Sequence, residues 1–137
     1  MKKFRLFALL CFALLAFVGC KKDDPATEKG NETFFYVKYS VNYVKPYDSN
    51  ELVTMVIVNA EGKKETFNVE DKEIKIGPVY AGFEAKLSVS NPAGGYIRGS
   101  IEIARNSDWA NFWDYGNFSS NKYEESISYK ILPTTGL

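Results

Sequence analysis

The sequence predicts an all-β protein whose single domain is an antiparallel sandwich of about seven strands, preceded by a cleaved N-terminal signal peptide. Beyond residue 32, apolar residues recur at every second position, which is the period of a strand with one buried face. Glycine, proline and asparagine clusters separate these segments at short intervals, as in sandwiches and barrels. The first nineteen residues instead have the composition of a targeting segment.

The targeting segment begins with the positive residues Lys2, Lys3 and Arg5 and continues with thirteen uncharged, mostly apolar residues, 6–18. A membrane-spanning helix needs about 20 apolar residues, so this stretch is too short to cross a bilayer. Its length and its positive head are typical of a secretory signal. We therefore divide the chain into a removed signal peptide (1–19), a tether (20–32) and a β-sandwich domain (33–137).

The apolar stretch ends in Val18-Gly19-Cys20, directly before charged sequence. This boundary resembles the lipobox of bacterial lipoproteins, from which it departs at Phe17, where leucine is usual. The resemblance implies that the Cys20 thiol is acylated and becomes the first residue after cleavage. Two or more acyl chains hold a protein stably in a membrane, so we expect a lipid anchor on Cys20 and no other cofactor.

The residues after the cysteine are Lys21, Lys22, Asp23 and Asp24. They resemble the export signal of Bacteroidota lipoproteins that reach the cell surface. The resemblance implies an outer-membrane protein exposed on the cell surface, with a periplasm-facing location as the alternative. The polar tether after them would span roughly 20 Å on average.

Charge and composition exclude several functions. Removal of residues 1–19 leaves fourteen basic and seventeen acidic residues, a net charge of −3 without the basic surface that nucleic-acid binding needs. The chain has no histidine, and Cys11 is lost with the signal, so Ser-His-Asp or Cys-His catalysis and ordinary zinc sites are excluded. We expect no enzyme and no metal site, although Asp108 and Asp114 could be imagined as a glycosidase pair.

The predicted strands are most regular in the middle of the domain. Residues 52–58 are apolar on both faces and indicate a central strand, whereas Gly77-Pro78 should end the fourth strand. Gly99 predicts a bulge or a close backbone approach. Seven strands in about a hundred residues favour an immunoglobulin-like arrangement. The strands are expected around residues 35–43, 52–58, 67–69, 74–76, 83–89, 97–103 and 122–132.

The strand containing Ala85, Leu87 and Val89, followed by Asn91, carries a second resemblance. Residues 53–103 are similar to the small sandwich domains of MmpS-like membrane-associated proteins, in which a glycine turn and a short strand pair precede such a strand. The resemblance implies an accessory role and no catalysis.

The segment 106–121 is the one long connection, and it contains five aromatic residues. Ser107 could cap a short helical turn that places Trp109, Phe112 and Trp113 on one face. These rings and Tyr115 either plug one end of the core or face outward as a contact for a ligand or partner.

The sequence thus predicts a lipid-anchored envelope protein that presents a non-catalytic sandwich for a binding or accessory role. A structural subunit of a larger outer-membrane complex is one alternative, and a glycan-binding module that uses residues 107–118 is another. The expected partners are the membrane, through the lipid, and an envelope protein or a glycan.

Overall fold

The computed structural model describes residues 32–70, 72–106 and 111–137. Within these ranges the regular elements are all β-strands, and Thr33–Leu137 form one compact unit. The eight strands are β1 (Phe34–Val44), β2 (Thr54–Val58), β3 (Lys64–Asn68), β4 (Lys72–Tyr80), β5 (Glu84–Ser90), β6 (Tyr96–Arg105), β7 (Trp113–Ser120) and β8 (Glu124–Lys130). No helix in the described ranges is long and apolar enough to cross a bilayer.

The strands form two four-stranded antiparallel sheets. Sheet A has the order β4-β1-β6-β7, and sheet B has the order β3-β2-β5-β8. The prediction of an all-β antiparallel sandwich is therefore confirmed, with eight strands where about seven were expected. In the constant-type immunoglobulin order, the first, second, fourth and fifth strands form one sheet. Here the first strand instead lies in the middle of sheet A, where it pairs with β4 and β6.

The core lies between the sheets and follows from the alternating sequence. In β1 the residues Phe35, Val37, Tyr39 and Val41 are fully buried, and the residues between them lie on the outer face. Strand β5 alternates in the same way. The buried Tyr39 hydroxyl donates a hydrogen bond of 2.9 Å to the Val58 carbonyl of the facing sheet, which satisfies a polar group inside the core.

The expectation that Gly77-Pro78 ends the fourth strand is wrong, because β4 continues to Tyr80. The pairing with β1 shifts between Phe35 and Val37, so Gly77 and Pro78 form a bulge opposite Tyr36. Because β4 is an edge strand, the missing N–H of proline interrupts no inner ladder.

The interpretation of 106–121 as a loop is also wrong over half its length, because Trp113–Ser120 form β7. The register with β6 shifts at Ile101/Glu102, which leaves Tyr115 as an extra residue on β7. This bulge reverses the inside-outside alternation and hides the period of two. Trp113 is the first residue of this strand, whereas Ser107 and Trp109 of the predicted helical turn lie outside the described residues.

Candidate binding site

An open groove of about 630 Å³ crosses the outer face of sheet A. All four strands contribute to it, and at a spacing of about 4.8 Å between strands it is about 14 Å wide. Because Val37, Tyr39 and Val41 of β1 point into the core, the polar residues between them point outward and form part of the groove floor. The lining residues are Lys38, Ser40 and Asn42 of β1, Lys72 and Glu73 of β4, Arg98, Ser100 and Glu102 of β6, and Asp114, Asn117, Phe118 and Ser119 of β7.

One row of charged residues runs across the sheet at one end of the groove. Lys75 lies opposite Lys38, Lys38 lies opposite Glu102, and Glu102 lies opposite Asp114. Lys38 and Glu102 form an ion pair, and Lys75 pairs with Glu73 at 3.3 Å. The row therefore has two positive charges side by side and then two negative charges side by side.

Hydrogen bonds connect the charge row to the polar residues in the middle of the groove. The Asp114 carboxylate accepts the backbone N–H of Gly116 at 2.9 Å and the Asn117 side-chain amide at 2.6 Å. The Ser100 hydroxyl donates to Glu102 at 3.4 Å. The bulge in β7 aids this arrangement, because it brings Asp114 opposite Glu102 and leaves Asn117 opposite Ser100. The carboxylates and the amide are thus oriented before any ligand arrives.

The far end of the groove carries the exposed side chain of Arg98. Its neighbours across the sheet are Asn42 on β1 and Ser119 on β7. The Tyr96 hydroxyl forms a hydrogen bond with the Ser119 hydroxyl. Arg98 forms no ion pair with any residue in the described ranges, so its five N–H donors remain open to solvent or a ligand.

The aromatic residues singled out in the sequence take different positions. The Phe112 ring lies on the outer face, with Lys38 Nζ 4.9 Å and Lys75 Nζ 5.8 Å from its centroid, and thus borders the groove. Trp113 is 60% exposed at the start of the edge strand β7. Tyr115 packs against the core, with its ring 4.5 Å from that of Tyr129.

Several predicted site residues lie outside the described residues. They are the lipidation residue Cys20, the export residues Lys21, Lys22, Asp23 and Asp24, and Trp109. Asp108, the other half of the imagined glycosidase pair, also lies outside. The described residues contain no group of three or more acidic, histidine or cysteine side chains that could hold a metal ion.

The sequence reasoning missed the groove residues, of which Lys38, Asn42, Arg98 and Asn117 are examples. The alternation did place Lys38 and Arg98 on polar faces, but it could not show that the two faces are continuous. A search of protein-family models, curated proteins and solved structures finds no match to this chain, so the site stands on its own geometry.

Proposed function

We propose that this chain is a lipid-anchored cell-envelope protein that presents its sandwich as a non-catalytic binding or accessory module. The observation that carries the anchor is Cys20, which stands at the boundary between apolar and charged sequence. A thiolate is the side chain best suited to thioether formation with a lipid donor. The groove on sheet A supports the binding role, because it offers oriented polar groups on an open surface.

The anchor is tested by comparing Cys20→Ala with Cys11→Ala in a Gram-negative host fed an alkyne-tagged fatty acid. We expect Cys20→Ala to lose the label and to leave the membrane fraction, because it lacks the thiol that would carry the lipid. Cys11→Ala is the matched control and should keep both properties, since Cys11 would be removed with the signal. Label that persists in Cys20→Ala would refute the lipid anchor.

Surface exposure is a separate part of the proposal and depends on residues 21–24. Protease treatment of intact cells should digest the domain of the wild-type protein. Replacement of Lys21, Lys22, Asp23 and Asp24 by serine should leave acylation unchanged and make the domain resistant to the protease. Full protection of the wild type in intact cells, with digestion after lysis, would instead place the domain in the periplasm.

The alternative role is that of a structural subunit in an outer-membrane complex. A stoichiometric protein partner that copurifies from membranes, whether or not the groove is altered, would favour that alternative. Loss of a bound molecule on substitution of Arg98 or Asn117 would favour the binding module, because both side chains line the groove.

A further inference from the structure

We propose that the groove on sheet A binds an uncharged oligosaccharide along the outer faces of β1, β6 and β7. This inference rests on the binding role proposed above and names its ligand class. The proposed binding site is the polar floor of the groove, which Phe112 borders, and not the aromatic segment 107–118 alone.

The charges in the groove indicate an uncharged ligand. Lys38, Lys72 and Arg98 are balanced by Glu73, Glu102 and Asp114 among the lining residues, so the net formal charge of the lining is zero. A polyanion such as a nucleic acid is attracted by a field of one sign, which this surface lacks. A ligand with polar groups but no net charge is complementary to it.

The hydrogen-bonding groups match hydroxyls. A sugar hydroxyl both donates and accepts, and the groove lining offers both donors and acceptors. The carboxylates of Asp114 and Glu102 accept, the guanidinium of Arg98 donates, and the amide of Asn117 has one group of each kind. Because Asp114 and Asn117 already hold each other at 2.6 Å, little side-chain freedom is lost on binding.

The charge row violates a rule of sheet stability. Like charges directly opposite each other on neighbouring strands are destabilising, and this face has two such pairs, Lys75 with Lys38 and Glu102 with Asp114. Departures from local rules concentrate at functional sites. A ligand whose hydroxyls hydrogen-bond to both carboxylates would offset that cost.

Phe112 and Tyr96 stand at the two ends of the groove, whereas Phe118, which also lines it, packs its ring against the core. Phe112 borders the charge row, and Tyr96 lies beside Ser119 at the Arg98 end. A pyranose ring has an apolar C–H face that packs on an aromatic ring, while its hydroxyls point to the sides. A protein partner would instead need a central apolar anchor site, and the floor of this groove is polar.

The test is affinity electrophoresis of the full-length protein, purified from membranes in detergent. The native gels contain dextran, galactomannan, laminarin or xyloglucan, and alginate serves as the anionic comparison. We expect retardation by at least one neutral polysaccharide. Arg98→Ala should weaken that binding about tenfold or more, the effect of losing one hydrogen bond from a charged donor, and Asn117→Ala should weaken it as well.

Lys86→Ala is the matched control. Lys86 is also an exposed cation on a central strand, but it lies on the outer face of sheet B, where it pairs with Glu84 at 3.2 Å. This variant should bind like the wild type, and all three variants should melt like it because the replaced side chains are exposed.

Four results would overturn the proposal. They are the absence of retardation by every neutral polysaccharide, retardation by alginate alone, equal retardation of wild type and groove variants, and loss of a copurifying protein in Arg98→Ala without any effect on polysaccharide binding. Failure of the anchor is recognised separately, because Cys20→Ala reports on acylation and not on polysaccharide binding.

Discussion

The close approach of β7 to β6 gives a quantitative test of the fold. Gly99 lies opposite Phe118, and a Cβ at Gly99 would be 2.5 Å from ring carbons Cε1 and Cζ and 3.2 Å from Leu87 Cδ2 of the facing sheet. Carbon atoms in favourable contact are about 3.5–4.0 Å apart, so the ring would have to move by about 1 Å. Overpacking of this kind costs about 1–3 kcal/mol.

Gly99→Ala should therefore lower the free energy of unfolding by about 1–2 kcal/mol, after an entropic gain of about 0.4–1 kcal/mol from restricting the unfolded chain. Urea denaturation of the full-length protein measures this value. Gly116→Ala on the neighbouring strand is the control. Its Cβ would meet Ile127 Cδ1 at 3.7 Å, an ordinary contact, so this variant should be as stable as the wild type or slightly more stable.

The mechanism is isolated by the double variant Gly99→Ala/Phe118→Ala. Truncation of the ring removes the clash and lets the new methyl group fill part of the space, so the double variant should be at least about 1 kcal/mol more stable than the sum of the single effects predicts. Distant, independent sites add to within about 0.5 kcal/mol. Additivity within that margin, or a Gly99→Ala protein as stable as the wild type, would refute the packing described for β6 and β7.

Two further predictions concern buried hydroxyls. Thr135→Val should lower the free energy of unfolding by about 1–3 kcal/mol, because the buried Thr135 hydroxyl accepts the Leu132 N–H at 2.9 Å. Thr134→Val, at an exposed position, is the control. Equal unfolding curves for the two variants would contradict a stabilising role of the Thr135 hydroxyl. Burial raises the pKa of Tyr39 far above its ordinary value of about 10, so unfolding favours its ionisation and stability should fall as pH rises above about 10. Tyr39→Phe should lower the free energy of unfolding by about 1 kcal/mol at pH 7, because the hydrogen bond to the Val58 carbonyl is lost. Between pH 9 and 11 the stability of this variant should fall less than that of the wild type. An equal fall in both proteins would exclude Tyr39 as the cause of the pH dependence.

Most strands could be predicted because their alternation is unbroken. Strand β5 buries Ala85, Leu87 and Val89 and exposes the residues between them, and one such face is what a sandwich requires. The end of β4 and all of β7 were predicted wrongly because both contain bulges. The extra residue Tyr115 on β7 puts inward side chains out of alternation, and Gly116 has low strand propensity, so the local pattern resembles a loop.

The environment of Gly99 could be predicted from the sequence only in part. Glycine within the strand pattern indicated a bulge or a close approach of the backbone. The structure shows the Phe118 ring lying over Gly99, on a strand that the sequence pattern did not reveal. The residue type thus indicated a tight contact, but only the pairing of β6 with β7 identified Phe118 as the contacting residue.

The sequence by itself determined that the domain is an antiparallel sandwich, because strand alternation is a local property of neighbouring residues. It also carries the whole argument for an anchor at Cys20. The groove was decided by the tertiary structure alone. Lys38 and Glu102 are far apart in the chain and become neighbours only through the register of β1 with β6, while the β7 bulge brings Asp114 opposite Glu102. Strand register depends on long-range pairing and on bulges, which no local pattern encodes.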